Sequence, residues 1–102
     1  STISALVLEP VTGSSGVIVP PAGYLQGVRD LCTRHGIVFI ADEVLVGFGR
    51  TGAWFGVDHD GVGPDLLVFA KGVNSGYVPL GGVLVGDPIH ETFTQRPPTQ
   101  RA

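Results

Sequence analysis

The feature that most constrains this chain is a series of short apolar runs in which polar and apolar side chains do not alternate. These runs cover residues 3–11, 37–41, 65–70 and 80–85. Continuously apolar strands are typical of a parallel sheet that is covered on both of its faces. Between the first two runs, residues 22–35 carry apolar side chains at helical spacing, and Gly36 follows where a helix would end. Strand, helix and strand in this order predict a right-handed βαβ unit within an α/β fold.

The composition favours a piece of a larger protein over a small independent domain. Hydrophobic residues make up 43% of the 102 residues and charged residues only 15%. A domain of this size is mostly surface and normally needs more polar cover. The 16 glycines and the absence of methionine agree with the interior of a larger α/β protein. We therefore expect the function to belong to a longer parent protein.

Charge and hydropathy argue against several classes of partner. The net charge of −3 and the scattered arginines give no basic patch for nucleic acid or for an acidic membrane surface. No apolar stretch approaches the length of a membrane span. Cys32 is the only cysteine, so no internal disulfide can form and a reducing compartment is favoured. The predicted location is the cytoplasm.

Charged residues stand where three of the predicted strands end: Glu9, Asp42 and Lys71, the only lysine. In an open α/β sheet, ligands bind outside the carboxyl ends of the parallel strands. A lysine in such a place is ordinarily a solvated loop residue, and an aspartate is ordinarily a helix cap or part of a loop salt bridge. However, no helix signature follows Asp42, and Asp42 and Lys71 together suit pyridoxal phosphate (PLP). This cofactor needs a lysine for its Schiff base and an acidic group beside its pyridine nitrogen.

The sequence around these positions resembles a known family. The blocks that carry the resemblance are LEPVTGSSGVIVPPAGYLQGVRDLCTRHGIVFIADEV, GFGRTGAWF, GVGPDLLVFAKGV and VPLGGVLVG. In order and separation they are similar to successive blocks of class III PLP-dependent aminotransferases, from about Ile3 to Phe93. The resemblance implies the PLP-binding large domain of a fold-type I enzyme, with flanking helices and a mixed, mostly parallel sheet. Residues 1–93 would form the central part of that domain, and residues 94–102 are predicted to be an unstructured tail.

The resemblance also implies roles for individual residues, at the positions that match the family's motifs. Asp42 would pair with the pyridine nitrogen, and Val44 would pack on the face of the PLP ring. Lys71 would form the Schiff base and then move a proton between the substrate carbon and the cofactor. The full-length protein would be a homodimer whose substrates are an amine or amino acid and a 2-oxo acid.

Two positions bear on the substrate. Family members that use glutamate or 2-oxoglutarate commonly carry a glutamate where Ser14 stands, and ornithine-type members often have a glutamine where Leu45 stands. The turn and the aliphatic residue found here instead resemble ω-amino acid and β-alanine:pyruvate transaminases. We therefore predict transfer of an amino group from an ω-amino acid or an amine to a 2-oxo acid, with pyruvate as the favoured acceptor. Two alternatives remain: an aminomutase, racemase or decarboxylase on the same scaffold, or a non-catalytic fragment that acts as a scaffold or interaction surface.

The fragment alternative depends on parts of the family's site that this chain does not match. The phosphate-binding turn, the aromatic residue that stacks on the ring and the carboxylate-binding arginine lie outside the matching blocks. Thr99 does not match the threonine that reaches the phosphate across the dimer, and no such role is assigned to it. A Schiff-base lysine without a phosphate cradle should hold PLP weakly. The chain by itself is therefore predicted to be inactive.

The loop after the second strand contains a motif that could mislead. Residues 47–52 fit G-x-G-x-x-G, but no helical period follows them, and a dinucleotide site requires a helix there. We therefore predict a loop without nucleotide binding, which extends over residues 47–64. Trp54 and Phe55 could line a pocket or anchor this loop, and the sequence does not decide between the two.

The histidines and the cysteine are interpreted as structural. No metal-ligand spacing relates Cys32 to the three histidines, which are His35, His59 and His90. No metal site is therefore predicted. Cys32 lies on the apolar stripe of the predicted helix and is assigned to the core.

Overall fold

The computed structural model describes residues 2–97 and residue 99. Its strands and α-helices are β1 (Ala5–Leu8), α1 (Tyr24–His35), β2 (Val38–Asp42), β3 (Leu66–Phe69), β4 (Gly82–Val85) and α2 (Asp87–Gln95). Two 3-10 helices, Gly56–Asp60 and Lys71–Val73, follow β2 and β3. Each predicted apolar run forms a strand, and the predicted helix forms α1. It begins at Tyr24 because Gly23 before it has a left-handed φ of 83°.

The strands form one sheet in the order β1-β2-β3-β4. β1 pairs in parallel with β2, and β2 with β3, while β4 runs antiparallel to β3. The predicted α/β fold with a mixed, mostly parallel sheet is therefore confirmed. The register pairs Leu8 with Ala41 and Asp42 with Val68, so the three parallel strands end at one edge of the sheet, here called the carboxyl edge. Three charged residues lie at or just beyond it: Glu9, Asp42 and Lys71.

Helix α1 packs on one face of the sheet. Its buried residues Leu25 and Cys32 cluster with Phe39 of β2 and with Val62, so the assignment of Cys32 to the core is confirmed. Arg29 of the same helix forms the one ion pair within the described part of the chain. Its Nη1 atom donates to Asp65 Oδ2 at 3.0 Å, and the Phe39 backbone N–H donates to the same oxygen at 2.7 Å. These bonds tie the helix to the start of β3.

The opposite face of the sheet is not covered by the residues that the structure describes. Side chains alternate along a strand, and Val7, Val83 and Val85 therefore point away from α1. Their exposed fractions are 61%, 50% and 48%. The physical reason is that α1 and the 3-10 helix Gly56–Asp60 bury their apolar side chains against the same face. An apolar run indicates that a strand needs cover, but not which element provides it.

Two segments differ in extent from the prediction. Residues 56–60, predicted as irregular loop, form a 3-10 helix. Helix α2 continues to Gln95, so the predicted tail of residues 94–102 is wrong in its first two positions. Much of the remaining tail lies outside the described residues. Within the described residues, no helix has the length and apolar character needed to cross a membrane.

Candidate active site

Asp42 is the last residue of β2 and lies half-buried at the carboxyl edge. Its Oδ1 atom accepts the Val44 backbone N–H at 3.1 Å. Aspartate commonly bonds the amide two residues ahead, and this bond starts a turn at the end of a strand. Val44, also half-buried, is the second residue of that turn. The local bond therefore fixes the carboxylate of Asp42 relative to Val44.

Lys71 lies just beyond the end of β3 and opens the 3-10 helix Lys71–Val73. Its φ is 47°, in the left-handed region that residues other than glycine seldom adopt. Such a conformation persists when the surrounding structure determines it, and it is concentrated at functional sites. The side chain is exposed, and within the described residues its ammonium group has no hydrogen-bond or ion-pair partner. Its amine is therefore accessible from solvent.

The turn that carries Lys71 packs directly on the turn that follows Asp42. A side chain at Gly72 would come within 3.2 Å of the Gly47 carbonyl oxygen and 3.3 Å of Phe48 Cβ. Only glycine allows this approach without displacing a neighbour. The predicted pair Asp42 and Lys71 thus lies at neighbouring strand ends whose turns are in contact.

A cavity of about 930 Å³ opens beside Lys71. Its basic lining residues are Arg50, His59 and Lys71, and among the described residues no acidic side chain lines it. Its apolar lining includes Val11, Val17, Val19, Leu45 and Phe48. Asp42 and Val44 are not part of the lining. The cavity therefore joins Lys71 to the loop of residues 47–52 but leaves out the two other predicted PLP contacts.

His59 and Arg50 are cavity residues to which the sequence analysis gave no role in the site. His59 Nε2 lies 2.9 Å from Thr51 Oγ1 and 3.1 Å from the Thr51 carbonyl oxygen, which holds the ring at the cavity wall. No helix opens at the glycine motif, since residues 44–51 form turns. The prediction that these residues form a loop is confirmed. Arg50 and His59 reach the cavity only because the segment that carries them folds towards Lys71. No local sequence pattern could have placed them there.

Phe48 lines the cavity and is the centre of an aromatic cluster. Its ring contacts Phe55 at 5.3 Å, Phe69 at 5.6 Å and Trp54 at 6.5 Å between centroids, all edge to face. Trp54 is 72% exposed, and neither it nor Phe55 lines the cavity. Phe55 therefore anchors the loop through Phe48, whereas Trp54 remains largely exposed.

Glu43 is the functional candidate that the sequence analysis missed. It is fully buried, and its two carboxylate oxygens accept the backbone N–H groups of Gly56 at 2.7 Å and Val57 at 3.0 Å. Burial raises the pKa of this carboxyl above its ordinary value, against the lowering effect of the two amides. The available signal was an Asp-Glu pair set between two apolar stretches, in IADEVLV.

Glu9, the remaining charged residue of the carboxyl edge, forms hydrogen bonds within the loop that follows it. Its Oε2 atom accepts the Gly13 backbone N–H at 2.8 Å, and Oε1 accepts the Ser14 hydroxyl at 3.1 Å. The Gly13 N–H, with a smaller contribution from Ser14, holds the pKa of Glu9 below its ordinary value. Glu9 is therefore a structural residue, ionised at neutral pH.

Known proteins match this chain over nearly all of its length. The profile of the family described as aminotransferase class-III matches residues 1–99. An omega-amino acid–pyruvate aminotransferase of Pseudomonas putida is 47% identical over 102 residues, which cover 100% of this chain and 23% of that protein.

Solved structures with the same arrangement are transaminases. One from the marine bacterium Virgibacillus has a TM-score of 0.90 and 55% identity, over 92% of this chain and 21% of that one. A taurine:2-oxoglutarate aminotransferase from Bifidobacterium kashiwanohense, solved with PLP and glutamate, has a TM-score of 0.88 and 52% identity, over 90% of this chain and 21% of that one. The chain thus spans between a fifth and a quarter of the length of these relatives. Its sheet is part of the fold-type I architecture, and the chain belongs to the class III family of PLP-dependent aminotransferases.

Proposed function

We propose that this chain forms part of the PLP site of a transaminase that moves an amino group from an ω-amino acid or amine to pyruvate. Lys71 forms the Schiff base with PLP, Asp42 pairs with the pyridine nitrogen, and Val44 packs on the ring. The observation that carries the proposal is the unpartnered Lys71 amine, held with a left-handed φ of 47° beside the turn that follows Asp42.

The described residues fit PLP on two sides. An amine and a carboxylate at neighbouring strand ends supply the covalent anchor and the partner of the ring nitrogen. When bound, PLP provides an electron sink for the electrons released at the substrate carbon. Asp42 would hold the pyridine nitrogen in its protonated form, and the Lys71 amine would move a proton to and from the substrate carbon.

The proposed substrate class rests on the turn after β1. A side chain at Gly13 would come within 2.8 Å of Leu45 Cδ1, so the turn that carries Ser14 and the aliphatic Leu45 are neighbours. Gly13 and Leu45 also line the cavity beside Lys71, where Arg50 and His59 suit the carboxylate of a 2-oxo acid. By their names, the relatives from P. putida and B. kashiwanohense use pyruvate and 2-oxoglutarate respectively. Ser14 favours pyruvate for this chain.

The first experiment tests the Schiff base. Lys71 is the only lysine, so borohydride reduction after addition of PLP should place the label on Lys71, with the N-terminal amine as the only other primary amine. Peptide mass spectrometry locates the label. Lys71→Arg is the matched control, because it keeps the positive charge but cannot form the covalent bond. Label confined to the N-terminus, or an unchanged PLP absorbance band in Lys71→Arg, would contradict the proposal.

The second experiment tests the reaction. The chain replaces the aligned segment of the P. putida relative, and alanine formation from β-alanine and pyruvate is measured before and after Lys71→Arg. We expect amino transfer that Lys71→Arg abolishes, with a shift from pyruvate towards 2-oxoglutarate in Ser14→Glu. Conversion of a single substrate without an acceptor would support the aminomutase, racemase or decarboxylase alternative. A correctly folded chimera that binds PLP but forms no product would support the non-catalytic alternative. The whole protein is further proposed to be a cytoplasmic homodimer.

A further inference from the structure

Glu43 forms four hydrogen bonds with its surroundings, two through its backbone and two through its carboxylate. Its backbone N–H donates to the Val68 carbonyl of β3 at 2.9 Å, and its own carbonyl accepts the Gly47 N–H at 2.8 Å. Its carboxylate accepts two backbone amides of the 3-10 helix Gly56–Asp60. One fully buried residue therefore connects β3, the turn after β2 and a segment more than ten positions further along the chain.

The first consequence concerns Asp42. Consecutive residues of an extended chain point to opposite sides of the sheet, so the side chains of Asp42 and Glu43 leave the strand end in opposite directions. Rotation of this strand end would move both carboxylates together. Because the Glu43 carboxylate is held by two amides in the interior, the direction of Asp42 is fixed as well.

The second consequence concerns Lys71. Phe55 directly precedes the amides that Glu43 holds, and its ring packs on Phe48 at 5.3 Å. Phe48 Cβ in turn lies against Gly72, where a side chain would come within 3.3 Å of it. Movement of the 3-10 helix Gly56–Asp60 would therefore displace the backbone next to Lys71. The left-handed φ of Lys71 depends on the surrounding packing.

We propose that Glu43 is a positioning residue that sets the placement of Asp42 and Lys71 relative to each other, without touching PLP itself. The link to PLP rests on the proposed function of those two residues. The link between the two strand ends does not, and the two parts can be tested separately.

The test compares Glu43→Gln with Val57→Ala in the full chain. The glutamine keeps the shape of Glu43 but turns an NH₂ group towards one of two backbone N–H donors, so one bond is lost. Val57 is 2% exposed and its amide binds the same carboxylate; the alanine weakens the core but leaves both bonds in place. Val57→Ala therefore controls for a general loss of stability.

Three readouts separate positioning from stability. In Glu43→Gln, exchange of the amide of Gly56 or of residue 57 should accelerate about tenfold or more relative to Val57→Ala. The backbone chemical shifts and the HN–Hα coupling of Lys71 should leave the left-handed pattern in Glu43→Gln only. The PLP dissociation constant should rise about tenfold or more in Glu43→Gln and stay within about threefold in Val57→Ala.

Two outcomes decide between a positioning role and a purely stabilising role for Glu43. If Lys71 keeps its left-handed pattern and PLP affinity in Glu43→Gln to the same degree as in Val57→Ala, Glu43 only stabilises the fold and the inference is overturned. If the unsubstituted chain does not bind PLP at Lys71 but the Lys71 signals change in Glu43→Gln alone, the link between the strand ends is supported and the proposed function fails.

Discussion

The turns after β1 and β2 both contain a glutamate that bonds the amide of a glycine, but only the second glutamate is closed to solvent. Glu9 bonds Gly13 at 2.8 Å and Glu43 bonds Gly56 at 2.7 Å. The pKa of Glu9 is lowered by its amide, whereas the pKa of Glu43 is raised by burial. The same hydrogen-bond chemistry therefore has opposite electrostatic results, because the partly exposed carboxylate of Glu9 loses less of its hydration than the buried one of Glu43.

The two turns also differ in what they connect. Glu9 bonds residues four and five positions ahead and shapes only its own loop. Glu43 bonds residues 13 and 14 positions ahead and joins segments that the chain itself does not bring together. Since both glutamates are engaged in structure, Asp42 remains the carboxylate of this edge that we propose as the partner of the cofactor.

Removal of each carboxylate in turn is expected to give the largest difference in stability between the two turns. Glu43→Ala leaves two buried amides without an acceptor and opens a cavity, and should lower the free energy of unfolding by about 3 kcal/mol or more. Glu9→Ala should shift the urea unfolding midpoint far less, because water can replace the carboxylate in an exposed loop. Equal shifts of the two midpoints would show that burial does not distinguish the turns.

The glycines that face the two glutamates provide a second test. A side chain at Gly56 would lie 3.1 Å from each of Glu43 Oε1, Pro10 Cβ and Val46 Cγ2, which are all packed in the interior. Gly56→Ala should therefore lower the free energy of unfolding by about 1–3 kcal/mol.

At Gly13 the nearest atom is the end of the Leu45 side chain, which is itself partly exposed and can rotate away. Gly13→Ala should therefore change stability by less than about 1 kcal/mol. Thermal unfolding of both variants at one pH provides the measurement. A larger loss in Gly13→Ala than in Gly56→Ala would mean that the first turn is the more rigid of the two.

The smallest expected effect is a dependence of stability on pH with opposite signs in the two turns. The folded pKa of Glu43 lies above 4.5, so its stabilisation relative to Glu43→Gln is full below about pH 4.5 and is lost as the pH rises through the folded pKa. The folded pKa of Glu9 lies below 4.5, so its contribution relative to Glu9→Gln is present above about pH 4.5 and is lost as the pH falls. Unfolding curves from acid to neutral pH measure both differences. Slopes of the same sign would contradict the assigned environments.

Much of the fold could be predicted because its signals are local. The unbroken apolar runs predicted the strands, and the helical spacing that includes Leu25 and Cys32 predicted α1. The open face, marked by Val7 and Val83, could not be predicted, because a run of apolar residues does not indicate which element will cover it. The 3-10 helix Gly56–Asp60 was missed for a similar reason, since its first amides are satisfied by a residue far back in the chain.

By itself, the sequence determined the order of strands and helices and the appearance of charged residues where the parallel strands end. Its family blocks predicted membership in the class III aminotransferases, which the comparisons confirmed. The roles of Asp42, Val44 and Lys71 remain proposals. Only the tertiary structure decided that Glu43 is buried below Asp42, that Lys71 adopts a left-handed φ, and that Arg50 and His59 share its cavity. The physical reason is that these features depend on contacts between segments distant in sequence, whereas strand and helix patterns arise between near neighbours.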